Sequence, residues 1–554
     1  MSAARLRVYA GVALAVLSTG GLLWAQRGGR RGGGEGGAQP MQFRALGPVE
    51  GGGRVCCVAG VPGQPNLYYL GAAGGGVWKT TDAGFSWTPI FEHESTESIG
   101  ALALAPSNPN LIWVGTGEAN VRNDVIDGHG LYFSPDAGAT WREIAPETFH
   151  HAGQIARIVI NPSDPNQVWV AVLGHAFGPN PDRGIYRTAD GGATWQKTLF
   201  VNDTTGAIDL AMQPGNPRVL VAAMWQTLRH PWGLDDGGPG SGIYKSIDGG
   251  LTWAKLSRGL PAGPYGRIAL EFAPSVPERL YAEIQAKHGV FWRSDDAGES
   301  WTMVSDNYQL NSRPFYFSRF EVMPNDPDKI YFLSVRMSYS ADGGKSSAPA
   351  GVTLHADHHS LWTDPTNPSR MIEGDDGGVN FSHDGGQHWI HTANLALEEG
   401  YSIHVDDDTP YHICEGLQDN GGWCGPSQAA ARPADWRMVG GGDGEYVVPA
   451  PSDANILYAD SQEGDVERTD FAAGVSVNVK PLSTGTSGET NFVYNMPARF
   501  NWTTPIEVDA SDPNTVYLGG NRLFKSTNGG HDWAPISPDL TRNDKSKQQP
   551  SGGA

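Results

Sequence analysis

The stretch Thr80-Thr-Asp-Ala-Gly-Phe-Ser-Trp87 decides the fold. Its pattern, Ser/Thr-x-Asp-x-Gly-x-x-Trp, returns at 134–141, 188–195, 246–253, 294–301 and 382–389. Two decayed copies stand at 340–347, where Ser347 replaces the Trp, and at 526–533, where Asn528 replaces the Asp. The residue types suit a fastened turn: the Asp accepts hydrogen bonds from the backbone of its own turn, the Gly takes a positive φ, and the Trp packs into the sheet. None of those roles is catalytic, so the box reports architecture.

Outward from each box, a Pro-rich turn precedes an apolar strand, as in Pro106-Ser-Asn-Pro109 before Leu111 and Pro162-Ser-Asp-Pro165 before Val168. The turn recurs at Pro62, Pro214, Pro274, Pro324, Pro365, Pro451 and Pro513. Box Asp positions 82, 136, 190, 248, 296, 342 and 384 advance by 42 to 58 residues, the length of a four-stranded propeller blade. The long interval before Asn528 holds two boxless units, 401–439 and 440–481. The expectation is an all-β propeller of about ten blades, each ordered strand 1, Pro turn, strand 2, loop, strand 3, Asp box, strand 4.

Composition agrees. The 554 residues include 74 Gly and 18 Trp with only 39% hydrophobic residues, a turn-rich chain whose cores are filled by aromatics and short strands. A formal charge of −21 repels phosphate backbones and acidic membrane surfaces, which argues against nucleic acid as a partner. Residues 1–25 read as a signal peptide, with Arg5 and Arg7 ahead of an apolar run, so the expected location is secreted or periplasmic with no membrane span in the mature chain. Residues 26–40, rich in Gly and Arg, read as a disordered linker, and 541–554 as a disordered tail. Of four cysteines, Cys414 and Cys424 are placed to staple a hairpin, whereas Cys56 and Cys57, neighbours on a strand, should face opposite sides.

Longer stretches resemble a known family. Phe43-Arg-Ala-Leu-Gly-Pro48, Gly115-Thr-Gly-Glu-Ala-Asn120, His355-Ala-Asp-His-His359, Gly374-Asp-Asp-Gly-Gly378, Gly416-Leu-Gln-Asp-Asn-Gly421 and Gly440-Gly-Gly-Asp-Gly444 together resemble bacterial secreted sortilin-like Asp-box propellers, often labelled glycosyl hydrolases and more distantly similar to tandem-propeller xyloglucanases. The resemblance covers about residues 42–543 and implies further blades after Ile536-Ser-Pro-Asp-Leu540. It implies a seven-bladed propeller over 41–395 and blades 8–10 of a partial second one over 396–540. A single ten-bladed ring, as in sortilin, is the alternative.

The box also assigns faces. Loops between strands 2 and 3, and between strand 4 and the next strand 1, lie opposite the boxes. On that box-free face fall the candidate catalytic residues Glu118, Asp375, Asp376, Asp419 and Asp443, and the candidate ligand-binding residues Asn120, Arg122, His151, Asp357, His358, His359, Gln418, Asn420, Arg499, Asn501, Asn521 and Arg522. Glycoside hydrolysis needs two carboxyl groups about 5 to 10 Å apart, one protonated and one ionised. Trp225, Trp232, Trp423 and Trp502 are candidates to stack on sugar rings. No metal signature of the HExxH kind is present, adjacent His358 and His359 diverge on a strand, and no cofactor is expected. The first reading is therefore a secreted propeller that binds polysaccharide or extracellular protein. An endo-acting, xyloglucanase-like glycoside hydrolase is the alternative, and an assembly scaffold the third.

Overall fold

The computed structural model describes residues 46–47, 52–122, 124–428, 435–481 and 498–548. The expected signal peptide and linker lie outside them. Ten antiparallel sheets follow one another along the chain, each pairing its strands in sequence order. Nine have four strands, and the fourth gains a fifth because strand Leu220–His230 runs on into a hairpin with Gly233–Asp236. The two boxless units form the eighth and ninth sheets. Among the described residues the one α-helix is the four-residue Pro146–Phe149. The chain is an all-β propeller.

The box chemistry appears atom by atom. In the first copy the Asp82 carboxylate accepts from Thr80 Oγ1 (2.7 Å), Ser86 N (2.9 Å) and Ser86 Oγ (2.6 Å), while Gly84 N donates to Thr80 Oγ1 (2.9 Å). Gly84 has φ of +89°, a conformation that costs an L-residue about 1–2 kcal/mol. Asp136, Asp190, Asp248, Asp296 and Asp342 repeat the set. In the decayed copy Asn528 keeps the acceptor, taking Asp532 N at 2.8 Å, and its amide donates to the Asp532 carboxylate at 2.7 Å. Three box Trp residues fasten their sheet to the one before, Trp141 Nε1 donating to Ile90 O, Trp253 to Thr198 Oγ1 and Trp533 to Val479 O, whereas Trp301 and Trp389 donate to Gly298 O and Gly386 O of their own boxes.

The first strands of sheets 1 to 7 all line one axial cavity of about 710 Å³, to which Val58, Leu102, Ile158, Asp209, Leu270, Phe320 and Leu361 each contribute. Sheet 1 also packs on sheet 7. Val58 N donates to Ser360 Oγ (3.1 Å), and the Arg370 guanidinium donates to the carbonyls of Gln64 and Val61, both at 2.7 Å. A side chain at Gly60 would run into the Trp362 ring, so this contact demands glycine.

Two expectations change. Cys56 and Cys57 do not face apart: the register passes from Val55↔Ala72 to Cys57↔Gly71, a β-bulge that makes Cys56 the extra residue and brings the two Sγ atoms to 3.7 Å. Residues 541–548, expected to be a disordered tail, are held instead. Asp544 caps a short 3₁₀ turn, Lys545–Lys547, and the Lys547 ammonium sits 4.0 Å from the centre of the Trp232 ring. Cys414 and Cys424 face each other across their hairpin and are joined as a disulfide.

Candidate functional site

The box-free loops converge on one buried ionic cluster, and its hub, Arg54, is a residue the sequence reading passed over. Arg54 directly precedes strand Val55–Val61 and is 2% exposed. Its Nη1 reaches both Glu118 oxygens (3.0 and 2.9 Å) and Glu399 (3.4 Å), and its Nε reaches Asp376 Oδ1 (3.2 Å). Burial opposes charge on Arg54, but the surrounding carboxylates outweigh it and hold the guanidinium firmly protonated. Tyr316 lies among the cations, with Arg54, Arg122 and Arg313 at 5.3, 5.1 and 5.1 Å from its ring centre. Its hydroxyl donates to Asp376 Oδ2 (2.9 Å).

Asp376 therefore gathers partners from every side. His359 Nε2 lies 2.6 Å from Oδ1, and Gln418 Nε2 lies 3.5 Å from Oδ2. Burial would push the Asp376 carboxyl up, but Arg54 and His359 pull it well below the usual carboxylate range. The amide of Asn120 donates to His359 Nδ1 (3.1 Å), which fixes the imidazole as the neutral tautomer with its proton on Nε2, directed at Asp376. Burial holds His359 in that neutral form, pushing its pKa down to about 4.

Sheets 8 and 9 close over this hub. Asp419, on the turn between strands His412–Leu417 and Gly421–Pro426, approaches Arg122 Nη1 at 3.7 Å. Its backbone N–H donates to Asp443 Oδ1 (2.8 Å), and Trp502 Nε1 donates to the other Asp443 oxygen (2.9 Å). Asn420 donates to the backbone oxygen of Asp376 (3.2 Å). Burial pushes the Asp419 carboxyl up to about 9, and the charges of Asp376 and Asp443 add to the effect. Asp357 rises to about 6 by burial and by the Asp376 charge. One oxygen each of Asp357, Asp376 and Asp419 lies within 4.8 Å of the others. A proton donor and a fixed anion thus stand side by side, closer together than the about 5 to 10 Å expected of paired glycosidase carboxyl groups.

Among the described residues several buried polar atoms of this cluster have no hydrogen-bond partner: Arg54 Nη2; Arg122 Nε and Asp124 Oδ1, which face each other as an ion pair at 3.7 Å; and Asp124 Oδ2, Glu399 Oε2, Gln418 Oε1 and Glu445 Oε1. Natural interiors leave few such atoms, and a concentration of them marks capacity for a polar ligand. Two voids lie away from the cluster, the axial cavity and a groove of about 920 Å³ between sheets 6 and 7. The ionisable groups, rather than the voids, mark the site.

Not every expected residue joins it. Asp375 is fully buried behind the hub, where Oδ1 accepts Gly377 N (2.9 Å) and Oδ2 accepts Asn380 Nδ2 (2.9 Å). His358 does point away from His359, and both are buried: His358 Nδ1 lies 2.7 Å from Glu373 Oε1. His358, Glu373 and Asp375 offer the donor types of a divalent cation site, but the Asn380 amide already bridges the two carboxyl groups. His151 rings against His150 on the surface. Arg499 and Asn521 both bind Asp539, Arg522 donates to Ser537 O, and Asn501 accepts Trp502 N; these four order the loops of sheet 10. Of the candidate stacking residues, Trp225 is fully buried, Trp232 stacks on His230, Trp423 donates to Asn420 O, and Trp502 braces Asp443.

No family model matches the chain. Among curated proteins it is similar to a xyloglucanase of Paenibacillus sp, 24% identical over 307 residues, which are 49% of this chain and 28% of that protein. It is also similar to the xyloglucanase Xgh74A of Acetivibrio thermocellus, 22% identical over 351 residues, 56% of this chain and 38% of that protein. The chain thus spans well under half the length of these relatives. Among solved structures, the Niastella koreensis GH74 enzyme aligns with a TM-score of 0.50 at 16% identity, covering 89% of this chain and 80% of that one. That likeness is one of fold.

Proposed function

We propose that this chain is a secreted glycoside hydrolase that acts on a β-linked polysaccharide of the xyloglucan class, in the seam where sheets 8 and 9 meet the loops of sheets 1, 2, 6 and 7. In this reading sheets 1 to 7 are a closed seven-bladed propeller, since their first strands share one axial cavity and sheet 1 bonds to sheet 7. Sheets 8 to 10 are part of a second unit that supplies the other wall. The closer affinity to sortilin-like Asp-box proteins rests on the motifs alone.

The observation that carries the reading is the Asp376/Asp419 pair, one carboxyl held ionised and its neighbour held protonated across the seam. The xyloglucanases among its relatives supply the substrate class. Asp419 gives its proton to the glycosidic oxygen as the bond breaks, a water molecule then adds through its oxygen to the anomeric carbon, and the proton that water sheds returns to the Asp419 carboxylate. Asp376, fixed as an anion by Arg54, His359 and Tyr316, stabilises the positive charge that develops at the sugar ring. Arg122 and Gln418 position Asp419, and the carboxylate oxygens of Asp124, Glu399 and Glu445 that take no hydrogen bond from the described residues accept from sugar hydroxyls.

A second reading, a polysaccharide-binding propeller without turnover, is favoured by the number of protein donors Asp376 already satisfies. Purified protein incubated with xyloglucan and with mixed β-glucan separates the two. Reducing-end release that disappears in Asp419→Asn while retention on the polymer persists supports hydrolysis. Saturable retention with no release in the wild type supports binding alone. Neither retention nor release rejects both.

A further inference from the structure

The two free cysteines stand apart from the seam and belong to no part of the reading above. Cys56 and Cys57 sit in strand Val55–Val61, and both line the axial cavity. The β-bulge sets their side chains together instead of on opposite faces, with Sγ···Sγ 3.7 Å. Cys56 is buried, its Sγ lying 2.8 Å from Ile99 O and 3.2 Å from Gly71 O, which share its one S–H donor, whereas Cys57 is half-buried. Opposite them stands Gly71. A Cβ there would lie 2.6 Å from Cys57 Sγ and equally close to the Ile99 side chain, so the position leaves the sulfur its room only as glycine.

The sulfur spacing selects among the fates of a dithiol. A disulfide brings the sulfurs to about 2.05 Å and usually sets its Cα atoms about 4.4–6.8 Å apart, whereas adjacent residues across a trans peptide hold their Cα atoms about 3.8 Å apart. A tetrahedral cation with two thiolate bonds of about 2.3 Å holds its sulfurs about 3.8 Å apart. The observed 3.7 Å is the bite of that chelate. Charge favours it as well. Two thiolates around a divalent ion are neutral overall, so the pair can stay buried where a lone thiolate would not.

We propose that Cys56 and Cys57 form a binding site for a soft divalent cation of the zinc and cadmium class, chelated by both sulfurs, with its remaining coordination positions open to the axial cavity. The ion replaces two S–H protons, forms two metal–sulfur bonds and releases two protons to solvent, with no change of oxidation state. Binding therefore weakens in acid. The single S–H donor that Cys56 shares between Ile99 O and Gly71 O is given up in exchange.

The test is titration of the full chain with Cd²⁺ alone, without reductant so that the Cys414–Cys424 disulfide stays intact. The proposal expects one equivalent bound per chain with a sulfur-to-metal charge-transfer band in the ultraviolet, two protons released, and both signals lost in Cys57→Ser. That half-buried position is the variant expected to fold; Cys56→Ser is the second. The acidic group Asp406, Asp408 and His412 holds no sulfur and gives no such band. Absence of the band, its survival in Cys57→Ser, or a wild-type protein two hydrogens lighter with no titratable thiol would each overturn the proposal. None of these outcomes depends on whether the seam hydrolyses polysaccharide.

Discussion

Asp376→Asn is the perturbation that reads the seam most sharply. The substitution keeps the shape of the side chain and removes its charge. Arg54 Nε at 3.2 Å and the His359 donor at 2.6 Å lose a charged acceptor, and the Tyr316 hydroxyl at 2.9 Å faces an amide. Removing one partner of a buried ion pair costs about 3–5 kcal/mol. Here Arg54 keeps Glu118 and Glu399, so the lower end, about 3 kcal/mol, is expected. In a unit of this size that corresponds to a fall in Tm on the order of 5 °C, measured by calorimetry at a fixed scan rate. The pH dependence adds a second check. Because the folded state depresses the Asp376 pKa, its stabilisation is present above the unfolded value and is lost as pH falls through the folded one. The wild-type advantage should therefore be flat from pH 5 to 8 and shrink below about 4. A variant whose Tm stays within about 1 °C of wild type at pH 7 would refute the account of Asp376 as the anchor of the seam.

Three further outcomes are expected. In the fourth box, Gly249→Ala meets no atom within 4 Å and pays only for its φ of +80°, about 1 kcal/mol, whereas Gly250→Ala also drives a methyl to 2.6 Å from Trp169 Nε1 and costs about 1–3 kcal/mol more; paired thermal melts resolve the two. Replacing both Cys414 and Cys424 by Ser releases a short hairpin loop, destabilises its unit by about 3 kcal/mol, and exposes the eighth sheet to limited proteolysis before the first seven. If Asp419 is the proton donor, hydrolysis holds up through neutral pH and falls as pH rises past about 9, where the carboxyl ionises, and Asp419→Asn removes this basic limb along with most of the rate.

What the sequence revealed and what it hid have separate physical causes. The box Asp, Gly and Trp act within a few residues of one another or on the neighbouring sheet, so eight boxes, with two boxless units in the long interval before Asn528, counted ten sheets and told one face from the other. The same face rule brought Glu118, Asn120, Arg122, Asp376, Gln418, Asp419 and Asp443 into one neighbourhood. It passed over Arg54, hidden in a run of glycines, and Tyr316, whose segment Arg313-Pro-Phe-Tyr-Phe317 reads as packing aromatics. Arg54 directly precedes the first strand of sheet 1 and Tyr316 lies on the loop leading to the first strand of sheet 6, both on the correct face, so a lone Arg or Tyr there was the available signal. Protonation was not legible at all. Asp375 and Asp376 are neighbours of one type, yet burial drives the first up while Arg54 and His359 drive the second down. The bulge at Cys56 was equally invisible, because alternation assumes an unbroken register.

The central claim, that the seam cleaves a polysaccharide with Asp419 as its acid, is tested most directly by the initial rate of reducing-end release from xyloglucan by the wild type and Asp419→Asn, with polymer retention measured on the same preparations. The account predicts turnover by the wild type, a rate lower by a factor of about 100 or more in the variant, and retention equal in both. Equal rates in the two proteins, or retention by the wild type without release between pH 5 and 9, would contradict it.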